Sequence, residues 1–282
     1  ARSTARFERV EIDGRPGGVK YVHPDLDVFM RVSGDLGCIP RRVWAAGLMD
    51  TAPDVIVNAT IGVAPWGRNG WGAALLMEDM STALVPPGDE PVDPETHLRF
   101  LDAIAALSAS TWSPSPDALG PMDLLPQGER WGFFGSDRLQ GEEHVGWPEP
   151  VPRIAIDGWQ RFDSLVPGDV GQVVRSLARD PAPLAAALAR TPQAFLHGDW
   201  KMGNLGVTPD GRVVLLDWTY CGIGPVAHEL AWYLALNRAR LPIGHTKEST
   251  IDDLRAALGR RGVDTATWWE RQVELCLLGG LV

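Results

Sequence analysis

The apolar positions change period several times along the chain. Phe7 to Ile12 and Gly18 to Val22 read as two short strands around Asp13-Gly14-Arg15-Pro16-Gly17, a strong turn signal. A weaker helical pattern follows from about Asp25 to Gly34. Ala73-Ala74-Leu75-Leu76-Met77 is an apolar run too short for a helix, and reads as a buried strand. Thr82 to Pro94, rich in Pro, Gly and Asp, reads as a linker. The pattern therefore predicts an α+β chain: a small β-rich unit over 1–81 and a larger, mainly helical unit over 82–282.

The helix after the linker is well marked. Asp93 can cap it, Pro94 fits its first turn, and Glu95 suits the positive end of its dipole. Leu98, Leu101, Ala105, Ser108 and Trp112 form one stripe, and Phe100, Ile104 and Leu107 an adjacent one, which predicts a helix buried in the core. Ser113 to Pro152 reads as loop. Further helices are expected over Trp159–Leu165, Val170–Arg179 and Pro183–Arg190. The chain then reads strand (Phe195-Leu196), loop, strand (Leu205-Gly206-Val207), turn (Pro209-Asp210-Gly211), strand (Val213 to Leu216). Three helices are expected to close it, over Pro225–Asn237, Ile251–Arg260 and Ala266–Leu278.

Composition narrows the class. With 282 residues, 45% hydrophobic and 22% charged, the chain can bury one large core or two modest ones. No apolar run approaches the roughly 20 residues that span a bilayer, so no membrane partner is expected. Ala1-Arg2-Ser3-Thr4-Ala5-Arg6 lacks the apolar core of a signal peptide. Cys38, Cys221 and Cys276 are scattered and odd in number, which fits a reducing cytoplasm and no cysteine-based metal or disulfide framework. The formal charge of -10 disfavours nucleic acid as a partner. It suits a cationic ligand if the acids line a cleft, and suits plain solubility equally well.

The chemistry concentrates in His197-Gly198-Asp199-Trp200-Lys201-Met202-Gly203-Asn204 and in Asp217, which ends the apolar run Val213-Val214-Leu215-Leu216. Asp199 precedes Asn204 by the interval that separates a catalytic acid from a metal-binding amide in kinase loops. Asp199 is the candidate base or orienter for an attacking hydroxyl, and Asn204 and Asp217 are hard-oxygen candidates for Mg2+. Lys201 could meet charge that shifts during phosphoryl transfer, or be a solvated lysine. His197 is expected to orient the loop through hydrogen bonds. Trp200 and Trp218 adjoin the two acids and read first as core residues.

This segment resembles the catalytic loop of the aminoglycoside phosphotransferase and choline kinase-like family, relatives of the protein kinases. The resemblance covers most of the chain and is strong from Phe195 to Tyr233. It implies a two-lobed protein kinase-like fold and an enzyme that uses Mg2+ and ATP, with GTP as the alternative, to phosphorylate a small-molecule hydroxyl. An amino sugar, an aminoglycoside, a choline-like alcohol or another polyol would be the acceptor. It implies that Lys20 contacts nucleotide phosphates and pairs with an acid on the next helix, Asp35 by spacing or Asp27 by position. Leu75-Leu76-Met77-Glu78-Asp79-Met80 resembles the hinge that holds adenine through main-chain groups, here the Glu78 carbonyl and the Met80 amide. Ser3 and Thr4 fall where the phosphate-binding loop is expected, so the first strand of the small lobe lies outside the sequence; the other end stops after an apolar helix. Glu229 stands where relatives carry an Asp that anchors the catalytic loop, and Ser108 where they often carry His. Two other readings are a protein kinase, favoured by Lys201, and a regulatory pseudokinase. Gly198 in place of arginine, and the short step from Asp217 to the next helix, speak against the first.

Overall fold

Asp13 and Gly14 both adopt positive φ, 50° and 77°, and close a two-residue turn between β1 (Arg6–Ile12) and β2 (Arg15–Val22). The computed structural model describes residues 6–35, 37–50, 52–112, 124–125, 127–143 and 150–280. Two short helices follow, α1 (Val28–Val32) and α2 (Ile39–Ala45), then strands β3 (Ile56–Asn58), β4 (Thr60–Trp66) and β5 (Gly72–Glu78). Four of these strands form an antiparallel sheet in the order β1-β2-β5-β4. Beyond the linker come α3 (Pro94–Ser110), α4 (Gln127–Gly132), α5 (Ser136–Glu143), α6 (Pro150–Leu165), α7 (Gly168–Arg179) and α8 (Ala182–Leu188). The segment after α8 supplies β6 (Ala194–Leu196), β7 (Leu205–Val207), β8 (Val213–Leu215) and β9 (Gly222–Gly224). The helices α9 (Ala227–Asn237), α10 (Lys247–Arg260) and α11 (Trp269–Gly279) complete the described chain.

The Asp93 carboxylate accepts the Thr96 amide at 2.9 Å, so α3 starts at its expected cap. Phe100, Leu101, Ile104 and Leu107 are buried along it, each side chain contributing about 1.5–3 kcal/mol, while Leu98, expected on the buried stripe, is 43% exposed. The loop reading of Ser113 to Pro152 is overturned at α4, α5 and the start of α6. Gly and Pro in those stretches read as breakers, yet Pro150 sits in the first turn of α6, where a missing N–H costs nothing.

Four further elements went unanticipated, the three-residue β9 among them. Gly62 and Pro65 are poor residues for a central strand, but β4 lies at the sheet edge, where proline is tolerated. The helix α2 begins Ile39-Pro40, again with proline in the first turn. Strand β3 is only three residues long, and runs parallel to β8 rather than joining the four-stranded sheet. Ile39, Val43, Met49 and Ile56 accordingly belong to the large core with Phe100, Leu215 and Trp218. Val22, Met30, Cys38, Ala73 and Leu75 form a small separate core beneath the sheet. Among the described residues no helix is long and apolar enough to cross a membrane.

Candidate active site

Three polar groups on α9 hold the loop between β6 and β7. The Glu229 carboxylate accepts the Gly198 amide at 3.0 and 3.1 Å. Asn237 accepts the Met202 amide at 2.8 Å through Oδ1 and donates to the Trp200 carbonyl at 2.9 Å. Trp232 Nε1 donates to Asp199 Oδ1 at 2.9 Å. Gly198 has φ +83°, and a Cβ there would overlap the Tyr220 carbonyl and the Arg130 guanidinium. Any side chain at that position, including the arginine of protein kinases, is therefore excluded.

Asp199 is 1% exposed and fully bonded. Its Oδ2 accepts Lys201 Nζ at 2.6 Å and Asn204 Nδ2 at 2.8 Å. Asn204 spends its amide nitrogen on Asp199, which leaves its Oδ1 for a cation. Lys201 keeps 42% of its side chain exposed, so it is neither a solvated lysine nor a fully buried one.

Asp217 adopts φ 68° and ψ 70°, a left-handed conformation that costs a non-glycine residue on the order of 1 kcal/mol. Its Oδ1 accepts Lys20 Nζ at 2.6 Å and the Thr219 hydroxyl at 2.6 Å. Lys20 is thus paired with Asp217 and not with Asp35. Asp35 instead accepts the Ile39 amide at 2.8 Å, at the start of α2, and Arg42 Nη2 at 2.8 Å. Asp27 caps α1 through the Phe29 and Met30 amides. The helix α2 packs against the turn at Trp218–Tyr220 and carries Arg41 and Arg42 but no acid. Among the described residues, Asp217 is the carboxylate paired with Lys20.

Glu78 and Met80 lie beside a cavity of about 240 Å³ bounded also by Ile12 and Pro16. The Met80 carbonyl accepts the Ala83 and Leu84 amides, at 2.9 and 3.2 Å. Ser3 and Thr4 lie outside the described residues. Trp200 and Trp218 are buried in the large core, and both put an edge against the His197 ring. Ser108 is buried at 1% exposure on α3.

Burial sets the charge states. It pushes His197 down to about 4 despite the attraction of Asp199 and Asp217, so the ring is neutral and acts by accepting the Asp199 amide at 3.3 Å. Burial pushes Glu229 up to about 7, against the pull of Arg130 and the Gly198 amide. Burial also opposes ionisation of Asp217, but Lys20 and Lys201 outweigh it and hold the carboxyl well below its usual range. Lys201 loses to burial and gains more from Asp199 and Asp217, so its ammonium is held charged.

These shifts fix a pH dependence of stability. His97 is pushed down to about 4 by burial, then by His245, and His228 well below its ordinary range by burial, then by Arg130. Below about 6.5 the unfolded chain protonates these three histidines while the folded chain does not, so stability falls as pH falls toward 4. Glu229 runs the other way between about 7 and its ordinary 4.5. Three groups against one leave a net loss of up to about 3 kcal/mol per pH unit on acidification. Urea unfolding at pH 6.5, 5.5 and 5 checks this, and a flat or rising midpoint would contradict it.

Trp232, Asn237 and Arg130 escaped the sequence reading. Glu229 and Asn237 are eight residues apart on one face of an otherwise apolar helix, a signal that was present. Arg130 donates to the Tyr220 carbonyl at 2.5 Å, from a stretch that read as loop.

Residues 153–268 match the sequence model of APH, the phosphotransferase enzyme family. No curated protein matches the sequence. By fold, the chain is similar to an aminoglycoside-3'-phosphotransferase of type VIII, at 19% identity, covering 99% of this chain and 89% of that one with a TM-score of 0.51. A Plasmodium vivax ethanolamine kinase superposes with a TM-score of 0.55 at 10% identity, over 98% of this chain and 74% of its own. An amicoumacin kinase in complex with AMP-PNP and Ca2+ does so at 0.50 and 15% identity, over 100% and 77%. The chain carries a protein kinase-like fold, and its resemblance to the aminoglycoside phosphotransferase family is matched by the family model over residues 153–268.

Proposed function

We propose that the chain transfers the terminal phosphoryl group of Mg-ATP to a hydroxyl of a small molecule, with 1–81 as the nucleotide-binding lobe and 82–282 as the catalytic lobe. One observation carries the reading: Asp199 and Asn204 are bonded to each other, and Lys201 lies in the field of both Asp199 and Asp217. The Asp217 carboxylate and the Asn204 amide oxygen are oxygen donors that fit a hard cation. Bound between Asn204 and Asp217, Mg2+ would neutralise and orient phosphate oxygens.

The chain's own residues do the rest. Asp199 accepts the proton of the acceptor hydroxyl, or its hydrogen bond, with Trp232 and Asn204 fixing the carboxylate. Lys201 donates to that carboxylate at 2.6 Å and supplies positive charge beside it. Lys20 faces the phosphates from β2. The strand runs from the cavity at Pro16 to Lys20 over four residues, about 13 Å, a span suited to a nucleoside triphosphate lying along it. The Glu78 carbonyl and Met80 amide would hold the base, adenine of ATP or guanine of GTP.

The acceptor is placed in a second cavity, about 230 Å³, lined by Trp131, Phe134, His228, Trp232, Ala235 and Leu236. Trp232 joins it to Asp199. Its aromatic walls suit a sugar or other ring with an apolar face more than a bare cation. Neither Glu142 nor Asp252 lines this cavity: Glu142 is paired with Arg31, and Asp252 is exposed on α10. Gly222–Gly224 leads into α9 at Ala227, which leaves little room for the activation loop of a protein kinase. Mg-ATP should raise the melting temperature, corresponding to about 2.7 kcal/mol at a hundredfold excess over Kd. Absence of a shift with both Mg-ATP and Mg-GTP would remove the reading.

A further inference from the structure

A second set of ligand-type side chains gathers away from the catalytic loop. His97 on α3, His245 ahead of α10 and Asp253 on α10 bring one ligand atom each within 4.8 Å of one another. No hydrogen bond or ion pair of Asp199, Asn204 or Asp217 reaches this cluster. We propose that His97, His245 and Asp253 form a zinc(II) site that ties α3 to α10.

The ring orientation of His97 favours ligation. Its Nδ1 meets the Tyr233 hydroxyl at 2.9 Å, which fixes the imidazole from behind as an outer-shell partner does. Its Nε2 has only Thr250 Oγ1, at 3.5 Å, too long for a firm bond, and that hydroxyl already donates to the Thr246 carbonyl at 2.9 Å. His97 is fully buried, so an unfilled ring nitrogen there calls for a partner.

The other two ligands are equally uncommitted. Among the described residues, neither the His245 ring nitrogens nor the Asp253 carboxylate makes a hydrogen bond or ion pair; His245 only sets its ring edgewise to His97, at 5.3 Å. Both are half-buried, and so can rotate. Two imidazoles and a carboxylate form a zinc donor set, with the fourth position left to water. Tetrahedral bonds of about 2.1 Å put ligand atoms about 3.4 Å apart, so the set need close by only about 1.5 Å.

The test uses Zn2+ and Co2+ as probes on the full chain, with excess Mg2+ to occupy the catalytic carboxylates. Zinc should bind one to one by calorimetry, and Co2+ should develop the visible absorption of a four-coordinate site. His245→Ala and Asp253→Asn, both at half-buried positions, should each weaken zinc by about 100-fold or more, while Tyr233→Phe should cost about 10-fold. Zinc should also raise the melting temperature of the parent chain and not of the first two variants. Failure of the parent to bind zinc, or unchanged affinity in both His245→Ala and Asp253→Asn, would overturn the site.

Discussion

Asp199→Ala is expected to lower kcat by about 10³-fold while leaving Mg-ATP affinity within about twofold. The carboxylate touches Lys201, Trp232 and the amide nitrogen of Asn204, which leaves Asn204 Oδ1 and Asp217 to hold the metal. Its removal therefore strips the acceptor hydroxyl of its base without emptying the metal site. Trp232 Nε1 and Asn204 Nδ2 lose their acceptor at the same time, a cost of about 1–3 kcal/mol for each donor left dry. Asp199→Asn keeps the shape and one acceptor oxygen, so it separates lost chemistry from lost stability. Steady-state turnover and nucleotide calorimetry on both variants make the measurement. Retained turnover in either would take Asp199 out of the mechanism.

Asp217→Ala should instead abolish nucleotide binding, with affinity for Mg-ATP falling by about 100-fold or more. Asp217 is the only proposed metal ligand that also neutralises Lys20, whose side chain is 9% exposed. Breaking that pair leaves a buried ammonium, which costs about 3 kcal/mol in the unliganded protein. The double variant Lys20→Met/Asp217→Ala removes the orphaned charge, so stability should recover in part while nucleotide binding stays lost. Unchanged binding in Asp217→Ala would show that the metal is held elsewhere.

The parts of the site that could be read from sequence are those whose chemistry lies within one short segment. Asp199, Lys201 and Asn204 belong to a single loop, and Asp217 follows a hairpin whose strands are apolar on both faces, so their spacing survives in the sequence. The partners that reach across the fold do not. Lys20 meets Asp217 from nearly two hundred residues away, and nothing local distinguishes that pairing from one with Asp35. Asp35 was misjudged because its carboxylate serves the start of α2, a helix hidden behind Ile39-Pro40. Trp232 read as one more aromatic residue in an apolar helix, and only the fold shows its indole N–H on Asp199. The same holds for the two-lobed outline. The hairpin, β5 and α3 were visible, whereas β3 was not, because a three-residue strand is specified by β8 rather than by its own pattern.

Phosphorus NMR of the protein with Mg-ATP and a panel of amino sugars, aminoglycosides, amino alcohols and polyols tests the central claim most directly. The account predicts that ATP is converted to ADP with a new phosphate-monoester signal from at least one acceptor, and that both changes vanish in Asp199→Ala. A monoester formed equally well by Asp199→Ala, or no ATP consumed with any acceptor by a chain that also fails to bind Mg-ATP, would contradict it.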